Sequence, residues 1–140
     1  MEAIKVDRLL KYDGTNDDHA VPSAAADVWS HSHKIAFGSV FCVSLRAKST
    51  TGTPDIDVYL EETHIDPASV STGEGVIGDT ANGWKIPEGS SKLLDVTDEA
   101  WHHFTVSPIS LPYLRLQFDP QGANPADCTV ETHISKQEQW

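Results

Sequence analysis

The chain has 140 residues, a length that suits one domain with a single hydrophobic core. It carries 10 Lys and Arg against 21 Asp and Glu, which gives a formal net charge of −11 at pH 7. This balance disfavours nucleic acid and anionic membranes as partners, because both attract positively charged proteins. No apolar run approaches the roughly 20 residues of a membrane span, and the first residues do not resemble a secretion signal.

The first third of the chain predicts one uncertain segment and one clear strand. Residues 1–12 alternate loosely and predict either an extended N-terminal arm or an edge strand. A polar loop over 13–26 and a short strand over 34–37 follow. Residues 40–48 alternate with period two, which is typical of a half-buried strand. The side chains expected to face the core are Phe41, Val43, Leu45 and Ala47.

A second alternating strand is predicted over 55–63, with Ile56, Val58 and Leu60 on one side. Residues 49–54 between the two strands are rich in turn formers. We therefore expect the two strands to pair as an antiparallel hairpin that presents one face to the core.

The second half begins with a long irregular segment, 64–90, which contains five Gly and two Pro. Segments of this length without secondary structure are commonly functional in compact domains. Short strands are predicted to follow at 92–96, 102–107, 113–118 and 128–135, with Leu114, Leu116 and Phe118 inward and Arg115 outward. Residues 97–103 resemble a helix start and predict one helical turn.

Seven or eight short strands with Gly and Pro turns predict an all-β protein. We expect a single antiparallel β-sandwich over 1–140, of the jelly-roll kind, with one long irregular loop at about 64–90. The chain shows no internal repeat and no linker that would divide it.

Two cysteines, Cys42 and Cys128, lie in strand-like runs. Each is interpreted as a small buried hydrophobic residue, although the sequence leaves open whether the two pair. Neither has a second cysteine nearby, so the sequence predicts no zinc site built on them.

Three motifs suggest ligand binding and then fail on context. Residues 73–78 (GEGVIG) match the dinucleotide-binding string, but no helix is predicted after them. Residues 13–18 (DGTNDD) are rich in oxygen ligands but lack the spacing of a calcium loop. His31 and His33 share a strand face, but further metal ligands cannot be identified. We therefore expect no cofactor and no metal.

The sequence offers no catalytic arrangement. None of its serines lies in a G-x-S-x-G turn. The adjacent carboxylates of Glu61 and Glu62 point to opposite faces of a strand and cannot flank one bond. We expect that the protein is not an enzyme.

Tryptophan provides the candidate contact residues, which lie in or beside predicted loops. One interpretation is that they cap the open ends of the sandwich. The other is that they form a subunit contact or a platform on which a sugar stacks, because exposed tryptophan is enriched at contacts. These residues are Trp29, Trp84, Trp101 and Trp140.

Several stretches resemble small β-sandwich accessory proteins in the virions of tailed bacteriophages. They are residues 101–108 (WHHFTVSP), 111–116 (LPYLRL), 122–130 (GANPADCTV) and 37–44 (FGSVFCVS), so the resemblance covers about 37–48 and 101–134. It implies a capsid decoration, or cement, protein that binds the major capsid protein on the outer surface of the head. Such proteins assemble in the host cytoplasm and are often dimers or trimers.

Two alternatives remain beside head decoration: a carbohydrate-binding module that uses the tryptophans, and a tail or neck component of a phage particle. The seven histidines add an expectation about assembly. If several of them lie at contacts, assembly should respond to pH between roughly 5 and 7.

Overall fold

A computed structural model describes residues 2–8, 17–23, 27–34, 41–64, 92–106 and 113–139. These residues form two antiparallel sheets that pack face to face around one core, and they contain no helix. The predicted all-β sandwich is therefore confirmed, while its jelly-roll connectivity stays a prediction. The long loop expected at 64–90 lies, apart from His64, outside the described residues.

Ten strands of the described residues make up the two sheets, and half of them have five residues or fewer. Their bounds are β1 Glu2–Arg8, β2 His19–Ala20, β3 Val28–Trp29, β4 His33–Lys34, β5 Phe41–Lys48, β6 Ile56–Thr63, β7 Leu94–Val96, β8 His102–Val106, β9 Tyr113–Pro120 and β10 Thr129–Gln139.

The first sheet has the order β1-β10-β5-β8, with β2 also paired to β10. The second sheet has the order β3-β9-β6-β7, with β4 also paired to β9. Each sheet therefore has a late strand, β10 or β9, near its centre. In each, two separate segments from the first quarter of the chain share one edge of that strand.

The core lies between the sheets and follows from the alternation of the long strands. On β5 every second residue from Phe41 to Ala47 is buried, and the residues between are half-buried. Leu114, Leu116 and Phe118 on β9 are completely buried, as predicted. Such alternation places all apolar side chains of a strand on one side of its sheet. A polar pair also lies inside, since His19 Nε2 is 2.9 Å from the Thr132 hydroxyl.

The prediction that β5 and β6 pair as a hairpin is wrong. β5 pairs with β10 and β8 in the first sheet, whereas β6 pairs with β9 and β7 in the second. The connection over 49–55 therefore crosses from one sheet to the other. Alternation could not separate these arrangements, because both give each strand one buried face.

This crossing is fixed by the carboxylate of Asp127. It accepts hydrogen bonds from the hydroxyls of Ser49 (2.5 Å), Thr50 (2.5 Å) and Thr51 (2.7 Å), and from the main-chain N–H of Thr50 (2.8 Å). These hydrogen bonds lower the pKa of Asp127, because they stabilise its charged form. The hydroxyl of Ser49 has the largest effect, followed by the other two hydroxyls and the amide.

The helical turn predicted over 97–103 is also wrong. Residues 98–100 form a bend, and β8 begins at His102. The Asp98 carboxylate accepts a bond from the N–H of Ala100 (3.0 Å) and lies 2.8 Å from His102 Nε2. An aspartate that bonds to the backbone two residues on stabilises a turn as readily as a helix start.

Both cysteines are free thiols, and they differ in exposure. Cys128 is buried in the core, and burial raises the pKa of its thiol to about 11. Cys42 is half-buried on the other side of the first sheet.

At about pH 8 we expect iodoacetamide to alkylate Cys42 and to spare Cys128 in the folded protein, because the thiolate is the reactive form. Peptide mass mapping would measure this, and faster labelling of Cys128 would contradict it; Cys42→Ser is the control.

Candidate interaction surface

The outer face of the first sheet carries the exposed apolar side chains of the described residues. The large hydrophobic residues exposed there are Val6, 60% exposed, and Trp101, 41% exposed. Val6 lies on β1 opposite Ser135, and Trp101 immediately precedes β8. Both belong to the face opposite the core, although they lie at opposite edges of the sheet.

Trp101 is held between two histidines. Its ring lies almost parallel to that of His103, at 6.5 Å between centroids and 9° between planes. The ring of His133 is 5.9 Å away and tilted by 46°. His103 Nδ1 is 2.7 Å from the hydroxyl of Ser44. We call these four residues, Ser44, Trp101, His103 and His133, the Trp101 patch.

The sheet register explains why the patch forms. Ser44 on β5 lies opposite His103 on β8 at one side and opposite His133 on β10 at the other. The neighbouring strands β8, β5 and β10 thus place the imidazole of His103, the hydroxyl of Ser44 and the imidazole of His133 in one row. Side chains that lie directly opposite across strands are about 5 Å apart, so the row gives Trp101 a continuous surface to rest on.

Charged groups surround the patch. Glu131 Oε2 is 3.5 Å from His133 Nε2, and Arg46 lies opposite Glu131 in the register. Lys48 follows on the same side of β5, 3.7 Å from Asp18. The matching face of the second sheet is more acidic, since Asp57 lies opposite both Asp95 and Asp119, with the cation Lys92 paired to Asp57 and Asp95. An acidic partner would therefore be repelled less by the face of the first sheet.

An open depression of about 270 Å³ lies at the end of this face, next to Asp127 and Glu99. Its polar groups already bond to each other: Glu99 Oε1 accepts from the N–H of Ser49 (2.8 Å), and Arg46 Nε donates to the Glu99 carbonyl (3.0 Å). These bonds hold the segment after β5 to the bend before β8. We therefore interpret the depression as part of these connections.

Trp29 lies in a different place from Trp101. It is part of β3 and only 7% exposed, so it does not present a free ring to a partner. Its indole N–H donates to Glu61 Oε1 (2.8 Å), and the Arg115 guanidinium lies 5.3 Å above the centre of its ring. Glu61 and Arg115 sit directly opposite each other on β6 and β9.

The Glu61–Arg115 pair is a buried salt bridge on the outer face of the second sheet. Arg115 Nε donates to Glu61 Oε2 (2.9 Å), and Nη2 lies 2.8 Å from the same oxygen. Arg115 is 2% exposed and Glu61 7%. The sequence correctly predicts that Arg115 points away from the core but not that it is buried. Alternation predicts the side of the sheet on which a residue lies. It does not predict that Arg115 is buried on the outer side.

Several predicted features fall outside the described residues. These are Trp84, Trp140, the 73–78 motif and most of the 13–18 segment. Of that last segment, Asp18 forms ion pairs with Arg8 and Lys48. The described residues contain no group of three or more His, Cys, Asp or Glu that would hold a metal ion. Of the predicted histidine pair, His31 Nδ1 lies 3.1 Å from the carbonyl of Ser32.

Sequence reasoning found Trp101 but missed its histidine neighbours as a unit. His103 and His133 are 30 positions apart, and only the unpredicted pairing of β5 with both β8 and β10 unites them. The sequence does contain one signal for this patch, which is the alternation of side chains along each strand. Ser44, His103 and His133 each occupy outward positions of their strands.

No protein-family model and no curated protein matches the chain. In the part of the chain that is described, no helix is long and apolar enough to span a membrane.

Proposed function

We propose that this chain is a non-enzymatic structural protein of a phage particle, which decorates the outside of the head and binds the major capsid protein through the Trp101 patch. The observation that carries the proposal is the exposure of Trp101, 41%, on a broad sheet face. Tryptophan is among the residue types most often found at the energetic centre of protein contacts.

The geometry supports binding of a large partner. Sheet strands present a wide and fairly flat surface, and the patch is bordered by both signs of charge from Arg46 and Glu131. An apolar centre with a polar rim is the usual anatomy of a protein interface. The acidic second sheet would then face the solvent, which agrees with the net charge of −11.

The first experiment is co-expression of the chain with the major capsid protein encoded in the same genome, followed by sedimentation of the assembled heads. We expect the chain to sediment with the heads in a fixed ratio, and electron microscopy to place it on their outer surface. Heads that sediment without it would contradict the proposal. Attachment to tails or necks alone would favour the tail or neck alternative instead.

Trp101→Ala is the variant that tests the patch. We expect it to weaken head binding by about 30-fold or more, which corresponds to the roughly 2 kcal/mol of a hot-spot tryptophan. Trp101→Phe keeps an aromatic ring and should retain more of the binding. Asp95→Ala, on the opposite sheet, should bind like the unaltered chain. Equal binding by all three variants would place the contact elsewhere.

A carbohydrate-binding module is the second candidate, and the same residue favours it. Trp101 offers an exposed ring with a hydroxyl and two imidazoles beside it, which is the chemistry that holds a sugar by stacking and hydrogen bonds. A glycan array separates the two candidates. Selective binding to one oligosaccharide, lost in Trp101→Ala, would favour the module, and a blank array would remove it.

A further inference from the structure

Two carboxyl groups meet at one edge of the second sheet, where β3 begins. The register of β3 on β9 places Val28 opposite Phe118. One position further along, Asp27 lies opposite Asp119, and their side chains hydrogen-bond to each other. Both residues are half-buried. A carboxyl group donates to another only while it carries a proton, so this contact holds one proton. We call Asp27 and Asp119 the carboxyl pair.

The amides beside the carboxyl pair determine which member takes the proton. Gln117 Nε2 donates to Asp27 Oδ2 (2.5 Å), so Asp27 serves as an acceptor. Burial raises the pKa of Asp119, and the hydrogen bond and the charge of Asp27 raise it further. The amide of Gln121 has a smaller, opposite effect on this pKa. Asp119 is therefore the group that is protonated, and its ionisation leaves two negative charges facing each other.

The charged groups around the carboxyl pair are mostly acidic as well. Asp57 on β6 lies opposite Asp119, and Asp95 on β7 lies opposite Asp57. The nearby cation, Lys92, is 3.1 Å from the Asp57 carboxylate and 3.7 Å from that of Asp95. Within the described ranges, neither member of the carboxyl pair forms an ion pair with a cation. Further along the same strands and the segment after β3 lie Asp55, Tyr59, His31 and the paired Glu61 and Arg115.

The carboxyl pair lies at the start of a weakly held strand. β3 contains two residues and forms an edge of its sheet. Just beyond it, the Ser30 N–H donates to the Leu116 carbonyl (2.9 Å), and the Leu116 N–H donates to the Ser30 hydroxyl (2.9 Å). Trp29 in this strand is 7% exposed and donates to the buried Glu61. The attachment of β3 to β9 thus determines whether the Trp29 ring stays buried against the ion pair.

We propose that the carboxyl pair is a pH-sensitive link, which holds the start of β3 against β9 when it carries a proton and loosens the strand when the proton is lost. Like charges directly opposite each other destabilise strand pairing. The link is complete below a pH of about 3.9, the ordinary pKa of aspartate, and is lost as the pH rises through the raised pKa of Asp119. It lies on the second sheet and does not depend on what the Trp101 patch binds.

The first test is amide hydrogen exchange of Ser30 in the full chain at pH 4.5 and 7.5, expressed as protection factors. We expect protection to be about two- to fivefold lower at pH 7.5, the usual size of a cross-strand charge effect. Asp119→Asn keeps a donor toward Asp27 and has no proton to lose, so its protection should be the same at both pH values. Asp95→Asn is the matched control and should keep the pH dependence of the unaltered chain.

Equal protection of Ser30 at the two pH values in the unaltered chain would overturn the proposal. The same pH dependence in Asp119→Asn would overturn it too, because His31 and every other titratable group is unchanged in that variant. Far-ultraviolet circular dichroism checks that both variants are folded. Head binding plays no part in this measurement, so its failure is distinguishable from failure of the link.

A carbon-13 NMR titration of the aspartate side-chain carboxyls tests the pair directly. In the unaltered chain we expect Asp119 to titrate with a midpoint above the ordinary value of about 3.9. Asp27→Asn should lower this midpoint, because it removes the facing negative charge. An Asp119 midpoint at or below the ordinary value, or one that Asp27→Asn leaves unchanged, would overturn the proposal.

Discussion

Replacement of Arg115 with methionine is expected to lower the free energy of unfolding by about 3–5 kcal/mol, the usual cost of breaking a buried ion pair. The guanidinium donates a hydrogen bond to Glu61 Oε2 from Nε, forms an ion pair with the same oxygen through Nη2, and lies over the ring of Trp29. Methionine fills much of the volume but leaves the Glu61 carboxylate buried without its cation. Chemical denaturation followed by tryptophan fluorescence would measure the loss.

A second substitution distinguishes the charge from the packing. Glu61→Gln added to Arg115→Met should recover much of the lost stability, because the amide carries no charge and its oxygen still accepts from the Trp29 indole. Lys92→Met, which removes an exposed cation from Asp57, is the control and should change stability little. No recovery in the double variant would mean that the loss comes from packing rather than from an unpaired charge.

Replacement of Asn124 with alanine is expected to lower the free energy of unfolding by about 2–5 kcal/mol, because it leaves one buried and one half-buried main-chain group without partners. Asn124 is 3% exposed in the turn between β9 and β10. Its Oδ1 accepts from the N–H of Asp55 (2.9 Å), and its Nδ2 donates to the carbonyl of Val21 (2.8 Å). One side chain therefore joins the segment after β2 to the segment before β6, which belong to different sheets.

Gln121→Ala in the same turn is the control for this prediction. The Gln121 amide donates to the carbonyl of Asp119 (3.1 Å), two positions away, from a half-buried position, so its removal should cost far less than that of Asn124. Thermal unfolding by calorimetry would rank the two variants. Equal losses would indicate that the turn as a whole, rather than the Asn124 bridge, holds the two sheets together.

The sequence predicts the strands well where one side is apolar. Val43 and Leu45, and Leu116 and Phe118, face the core as their alternation indicates. Two-residue strands such as β2 are too short to show any period. Which strands pair is also hidden, because the pairing of β5 with β10 joins residues more than 80 positions apart.

The candidate site was predictable only in part. Trp101 stands out by residue type, but Trp29 is of the same type and is buried against Glu61. The two tryptophans differ in exposure because Trp29 packs against the buried charged pair of Glu61 and Arg115. The strand pattern does not predict that this pair is buried. The exposure of Val6 is similarly hidden, because a valine in an alternating segment is expected to be inside, whereas the register of β1 on β10 places it opposite the outward Ser135.

The position of β10 bears on how the chain folds. β10 lies between β1 and β5 in the first sheet and also pairs with β2, yet it follows every other described strand in the sequence. During synthesis, β1, β2 and β5 must wait for residues 129–139 to leave the ribosome before they acquire this common partner. Pairing over such sequence separation is slow. The exposed edges of the waiting strands are prone to aggregation in this interval, so high-level expression should benefit from slower translation or lower temperature.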